Sequence, residues 1–257
     1  MAILKSEADI ELMAEGGRIL ARILEILKKE ARAGVTTNHL DELSLRLIKE
    51  SGAEPAFLNY RAQGASRPYP KTLCASLNEV VVHGVPSERV LQDGDLLKID
   101  LGLVYQGFYL DSARTVFIGA APKEIKKLIS VTEEALMLGI KNARIGKTLG
   151  DIGAAISSFV VKNGFSVVSS LTGHGIGRRL HEDPTVLNFG RSGEGEELKE
   201  GMALAIEPMV SAGADKKSGA VREVSDGGFA TQDGSLSAHF EHTVAVTRRG
   251  PRVLTQI

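Results

Sequence analysis
The 257-residue chain has no tryptophan, four tyrosines and a single cysteine, Cys74. One cysteine excludes an intrachain disulfide and suits a reducing compartment. No apolar run approaches the roughly 20 residues that span a bilayer, and the N-terminus reads as polar and helical rather than as a signal-peptide core. An excess of one charge is also missing, since 31 Lys and Arg stand against 32 Asp and Glu. There is thus no field to draw the chain onto nucleic acid or an anionic membrane. A Gly-x-Ser-x-Gly elbow is absent, and nothing in the sequence around Cys74 would activate it, so nucleophilic catalysis finds little support. Cys74 reads as a pocket wall or a buried small hydrophobe. A soluble, cytoplasmic globular protein is expected.

Apolar periodicity predicts four helices. Ser6 to Ala31 carries Ile10, Met13, Leu20, Leu24 and Leu27 on one stripe behind a Ser6–Asp9 cap. Thr37 to Ser51 follows and stops at Gly52. After a β-rich stretch the pattern restarts, with Pro122 opening a helix to about Asn142 and another running from about Leu149 to Asn163, stopped by Gly164. Each pair of helices precedes acid-bearing strands. That order suggests a duplicated α+β unit sharing a central sheet, with halves of about 1–120 and 121–257 in a single domain, 1–257. Residues 53–95 read as loops and short strands, and the polar, Gly-rich 211–236 stretch as a surface excursion.

Against this apolar background five polar residues stand out: Asp100, Asp111, His174, Glu207 and Glu241, each in a β-like segment. Ionised carboxylates are almost never buried unless paired or bound to metal. Four carboxylates and an imidazole form a ligand set for two hard divalent cations, and such oxygen-rich donors suit Mn, Fe(II) or Co. The segment 95–105 alternates with period two, placing Lys98, Asp100 and Gly102 on one face. A turn at Gln106-Gly107 then predicts a hairpin in which Asp100 stands directly opposite Asp111. Taken alone, that pair could also be a solvated edge residue and a turn residue. Two metals roughly 3.5–4 Å apart would turn the repulsion into ligation.

Gly173-His-Gly-Ile-Gly177 lacks the Lys-Ser/Thr of a phosphate loop; its small residues instead let His174 approach a metal. His83 and His181 also lie beside glycine or proline turns and are site candidates. His239 and His242 flank Glu241 as surface or supporting groups, and His39 is assigned no role. Glu207 is the choice for general base and proton shuttle, since a ligand carboxylate lies within reach of a metal-activated water.

Four stretches, Ser76-Leu-Asn-Glu-Val-Val-Val-His-Gly-Val-Pro86, Gly173-His-Gly-Ile-Gly-Arg-Arg-Leu-His-Glu-Asp-Pro184, Ala205-Ile-Glu-Pro-Met-Val210 and Ser235-Leu-Ser-Ala-His-Phe-Glu-His-Thr243, resemble the methionine aminopeptidases of the short bacterial type I form. The resemblance covers nearly the whole chain. It implies the pita-bread fold, with pseudo-twofold halves, a central curved antiparallel sheet and outer helices. It also implies that Asp100 chelates one metal, that Asp111 and Glu241 bridge both, and that His174 and Glu207 complete the second. One metal can also bind the free α-amine of the substrate. By the same resemblance His83 contacts the scissile amide nitrogen and His181 the carbonyl oxygen, while Asn78, Val80 and Ser237 hold a monovalent cation, Na or K. Substrates would be N-termini of nascent polypeptides with a small second residue, the ribosome is a candidate partner, and a monomer is expected.

The chain departs from the family pattern around the substrate pocket. Family members of this type usually have a Trp before the Ser-Leu-Ser-Ala stretch, where this chain has Gly227 to Phe229. The 61–68 segment is longer than its usual counterpart, and Gly102 replaces a common Thr. Phe57, Tyr60, Tyr69, Cys74 and Leu180 are the expected walls of an apolar slot. Such a slot separates side chains differing by one methylene by only about 1–3 kcal/mol. Two alternatives follow: a proline-directed aminopeptidase or dipeptidase of the same fold, and a non-catalytic homologue that binds ribosomes or partners.

Overall fold
The computed structural model describes residues 2–61, 67–213, 219–225 and 227–257. Helices α1 (Glu7–Glu30) and α2 (Thr37–Glu50) lead into β1 (Glu54–Pro55), β2 (Leu73–Leu77), β3 (Val80–Val82), β4 (Leu96–Tyr105) and β5 (Phe108–Phe117). Helices α3 (Lys123–Asn142) and α4 (Leu149–Lys162) open the second run. It continues with β6 (Ser166–Val167), β7 (Gly173–Gly175), β8 (Glu182–Val186), β9 (Ala203–Ile206) and β10 (Met209–Ser211). Strands β11 (Val221–Glu223), β12 (Phe229–Thr231), β13 (Ser237–His239), β14 (His242–Thr247) and β15 (Gly250–Val253) complete it.

The helix ends follow from local chemistry. Ser6 Oγ accepts a hydrogen bond from Asp9 N while the Asp9 carboxylate accepts one from Ser6 N, a reciprocal cap that satisfies two otherwise orphaned donors. Thr148 and Asp151 do the same for α4. Beyond α2 the chain turns out of the helix at Gly52, whose φ of +75° a side chain would resist. The apolar stripe of α1 lies on β4 and β5, and α2 packs against β1 and β2. In the second run α3 packs against α4 and against β9, β10, β13 and β15. Two large apolar cores result, one under each helix pair, and a small third cluster gathers Val81, Val82, Val168 and Met209. Each fully buried Leu or Ile there contributes about 1.5–3 kcal/mol.

Among the described residues the strands pair antiparallel in four sheets: β1 and β2 on one edge of β4 with β5 on the other, β13–β10–β6, β11–β12–β3, and β15–β14–β9–β7–β8. The 211–236 stretch is thus more than a surface excursion. Its β11 and β12 extend β3, and Ala230 and Thr231 are fully buried. Residues 214–218 and 226 of this stretch, and 62–66 of the lengthened 61–68 segment, lie outside the described residues.

Strand β5 meets the β13–β14 run along a seam held by hydroxyls. Thr243 Oγ1 donates to the Asp111 carbonyl at 2.8 Å and accepts from Asp111 N at 3.0 Å. Ser112 Oγ donates to the Glu241 carbonyl at 2.7 Å, and Thr115 Oγ1 donates to that of His239 at 2.7 Å. Side chains thereby do the work of ladder hydrogen bonds and fix the two acid-bearing segments against each other. Replacing Thr243 with Val keeps the shape but strands two buried backbone groups of Asp111. Each such group costs about 1–3 kcal/mol, so thermal unfolding of Thr243→Val is expected several degrees below wild type. A shift of less than about 1 °C would show that this hydroxyl does not hold the seam.

Candidate metal centre
The first hairpin closes in a register two residues away from expectation. Tyr105 pairs with Phe108 across Gln106 and Gly107, whose φ values of 50° and 76° mark a two-residue type I′ turn. Asp100 therefore pairs with Ala113, and Asp111 with Gly102. The two carboxyls are diagonal neighbours on one face instead of directly opposed. A Cβ at Gly102 would come 2.7 Å from Phe57 Cε1, so the Phe57 ring fills the space a side chain there would need.

Glu207 and Glu241 do not sit inside strands, as the apolar pattern suggested, but at breaks between them. Pro208 supplies no N–H, and the chain leaves β9 at Ile206 to resume as β10 at Met209. Its neighbour breaks at the same level, between β13 and β14. Pairing is the same on both sides, Ile206 with His242 and Met209 with His239, which sets Glu207 opposite Glu241. At the break both carboxyls turn towards the Asp100–Asp111 face.

His174 arrives from β7, next to β9. Its flanking glycines serve backbone packing, not access for a metal: a Cβ at Gly173 would strike the Ala205 carbonyl, and one at Gly175 the Asp183 carbonyl. The His174 Nδ1–H donates to the Gly175 carbonyl at 2.9 Å. That leaves the Nε2 lone pair 3.6 Å from Glu207 Oε1, the tautomer a metal ligand requires.

The five residues therefore converge. Ligand atoms of Asp111, His174 and Glu241 lie within 4.8 Å of one another, as do those of Glu207, His239 and Glu241. Asp100 Oδ1, Asp111 Oδ1 and Glu241 Oε1 are buried without a hydrogen-bond partner among the described residues. Burial, followed by the neighbouring Asp111 and Glu207, lifts the Asp100 carboxyl well above its usual range, and burial likewise lifts Glu207 and Glu241. Asp111 rises to about 7, burial outweighing the hydrogen bond from Asp100. Four carboxyls in one dry volume either hold protons or meet cations. Such a donor set, hard, convergent and short of protein cations, could hold divalent metal.

A cavity of about 550 Å³ opens beside this cluster, and His83, His174, His181 and Glu207 line it. His83 and His181 are open to a ligand yet flanked by protein, and this confinement lowers both imidazole pKa values, that of His83 to about 4. Phe229 meets the His83 ring edge-on at 5.8 Å, an aromatic where the family pattern led one to miss a Trp. Tyr60 Oη lies 2.6 Å from His181 Nδ1. Tyr60 and Leu180 line an adjoining cavity of about 420 Å³ together with Tyr109, Arg179 and His181. Tyr69 Oη donates to the Leu73 and Gly84 carbonyls, bracing the turn after His83. Cys74 is buried opposite Asp100 in the β2–β4 pair, and burial pushes its thiol well above the usual value, so it stays protonated.

Two further residues bear on the site: His239, which the sequence marks as a surface or supporting group, and Lys5, which it does not mark. His239 is 1 % exposed, not a surface group, and its Nε2 is 3.3 Å from Glu207 Oε2. The signal was its place two residues before Glu241. Lys5 Nζ forms a buried ion pair with Glu182 Oε2 at 2.6 Å, and Glu182 Oε1 accepts from Arg179 N at 3.0 Å. This pair fixes the turn that carries His181, and no local pattern connects residues so far apart.

Comparison with known proteins agrees with the geometry. The description "Metallopeptidase family M24" matches residues 11–248. A methionine aminopeptidase of Clostridium perfringens is 45% identical over 258 residues, covering all of both chains. The crystal structure of methionine aminopeptidase from Thermotoga maritima matches with a TM-score of 0.94 at 40% identity, again covering all of both chains. An Xaa-Pro dipeptidase from Bacillus anthracis has a TM-score of 0.78 but is 22% identical, and the match covers 62% of its length, a likeness of fold alone. The chain belongs to metallopeptidase family M24, in its methionine aminopeptidase branch, and has the pita-bread fold.

Proposed function
We propose that this chain is a dinuclear metal-dependent aminopeptidase that removes the initiator methionine from nascent polypeptides when the next residue is small. The observation that carries the reading is the clustering of Asp111, His174, Glu207 and Glu241 beside Asp100, with oxygens of Asp100, Asp111 and Glu241 buried without a donor among the described residues, next to a cavity that Asp100, His174 and Glu207 line. Two divalent ions (Mn, Fe(II) or Co) bound there would polarise the scissile carbonyl and lower the pKa of the attacking water. Asp100 would serve one ion, Asp111 and Glu241 both, and His174 with Glu207 the other.

The remaining steps fall to side chains on the cavity wall. Glu207 accepts the proton of the attacking water and passes it to the departing amine as the C–N bond breaks. Burial raises the Tyr60 phenol above its usual value, so Tyr60 keeps its proton and donates to His181 Nδ1. His181 then carries its ring hydrogen on Nε2 and presents it to the carbonyl oxygen as negative charge develops. His83 stands at the scissile nitrogen. Phe57, Tyr60, Tyr69, Cys74 and Leu180 belong to the apolar walls, with Tyr60 and Leu180 at the adjoining cavity itself. The chain works as one catalytic domain, 1–257, with halves about 1–120 and 121–257. It acts as a monomer in the cytoplasm, on N-termini emerging from the ribosome. No helix among the described residues is long and apolar enough to cross a membrane.

Two measurements test the reading. With added Mn or Co, the chain is expected to cleave Met-Ala-Ser and leave Ala-Pro-Ala intact; cleavage of the proline peptide alone would move it to the proline-directed branch, and cleavage of neither would point to a non-catalytic homologue. The second uses pH. The Asp111 carboxyl, at about 7 in the folded chain against an ordinary 3.8, keeps a proton that the unfolded chain has lost in that interval. Metal-free protein therefore loses stability as pH rises from about 4 to 7, and cations compete for the same oxygens. The rise in Tm on adding Mn should be larger at about pH 8 than at about pH 6. An equal or reversed rise would contradict proton–metal competition at these carboxyls.

A further inference from the structure
Lys98 is 1 % exposed and is among the largest fully buried side chains of the protein. Lysine is almost never buried to this degree without a carboxylate partner. Here no ion pair to Lys98 forms among the described residues. Its Nζ instead donates to the Asn78 carbonyl at 2.7 Å, with the Leu96 carbonyl at 3.5 Å. The Asn78 carbonyl also accepts from Ser237 N at 3.1 Å and Ser237 Oγ at 3.2 Å, and that hydroxyl lies 3.5 Å from the Val80 carbonyl. The amine thus ends where oxygens of Asn78, Val80 and Ser237 gather.

This oxygen cluster is built in advance. Asn78 has a φ of +55°, its Oδ1 accepts from Leu96 N at 2.9 Å, and its Nδ2 donates to Asp95 Oδ1 at 3.1 Å. Converging oxygens are the setting in which a monovalent cation replaces its hydration shell. These three residues are also the ones that the family resemblance assigns to Na or K. In this chain they do not fit a free ion, because the Lys98 amine, carried on β4, already lies against the central carbonyl.

We infer that Lys98 takes the place of a monovalent cation, tying β4 to the β2–β3 turn, which Ser237 in turn joins to β13. The turn leads to His83 and β13 leads to His239 and Glu241, so the tether braces two walls of the candidate metal centre. Because the nitrogen is covalently attached, no separate ion has to be captured and immobilised. Burial lowers this amine to about 7, Glu79 opposing the shift. In either protonation state the nitrogen occupies the position an ion would need.

The test compares the chain in KCl, NaCl and choline chloride at equal ionic strength, with readouts that do not depend on which peptide is cleaved. Wild-type Tm is expected to agree within about 1 °C in all three salts. Lys98→Ser, which opens the cluster, should unfold several degrees lower in choline and recover in KCl or NaCl. Lys98→Met, which fills the space without charge, should not recover. Crystals soaked in rubidium should show an anomalous peak among Asn78, Val80 and Ser237 in Lys98→Ser and none in wild type. A potassium-dependent Tm or a rubidium peak in wild type would overturn the inference, as would a Lys98→Ser variant that ignores the cation. If that variant does not fold, the wild-type salt series and soak decide alone.

Discussion
Repulsion among four carboxyls in one dry volume is the constraint on which this molecule is organised. Asp100 and Asp111 come from one hairpin, Glu207 and Glu241 from paired breaks in another pair of strands, and each is withdrawn from water. Left ionised and unpaired, such groups would oppose folding by several kcal/mol each. Protons relieve the cost in the metal-free chain, which is why burial drives these carboxyls upward. Cations relieve it more completely and turn the cluster into a chemical device. The same geometry that costs stability could hold divalent metal.

What holds the acids together is mostly neutral. Hydroxyls of Ser112, Thr115 and Thr243 stitch β5 to the β13–β14 run, and a shared register sets Glu207 across from Glu241. Across this seam Arg114 of β5 donates to the Glu241 carbonyl, and two lysines lie nearby, Lys5 paired with Glu182 and Lys98 lodged among carbonyls. Neither touches the carboxyl cluster, so neither neutralises it. They brace the turn bearing His181 and the turn bearing His83, leaving the acids free for metal. The imidazoles of His83 and His181 stand on these braced turns at the cavity wall.

Much of this was legible in the sequence, where local chemistry decides the outcome. The Ser6–Asp9 cap, the α1 stripe and the stops at Gly52 and Gly164 follow from residues a few positions apart. The five acid and imidazole residues stood out because charge inside apolar runs needs a reason. Other features depended on contacts no local pattern carries. The hairpin register moved by two because the turn took only Gln106 and Gly107. Strands β11 and β12, three residues each, are too short to show alternation. The burial of His239 and Lys98 depends on partners 32 and 20 positions away in the chain. The glycines flanking His174 admit the Ala205 and Asp183 carbonyls, a close backbone approach that no local pattern carries.

The central claim is that these carboxyls are a cation site and not a proton-storing core. Anomalous diffraction at the manganese edge, from crystals soaked in that metal, tests it most directly. The account predicts two peaks enclosed by Asp100, Asp111, His174, Glu207 and Glu241. Strong manganese peaks elsewhere, with these five side chains unchanged and no density among them, would contradict it.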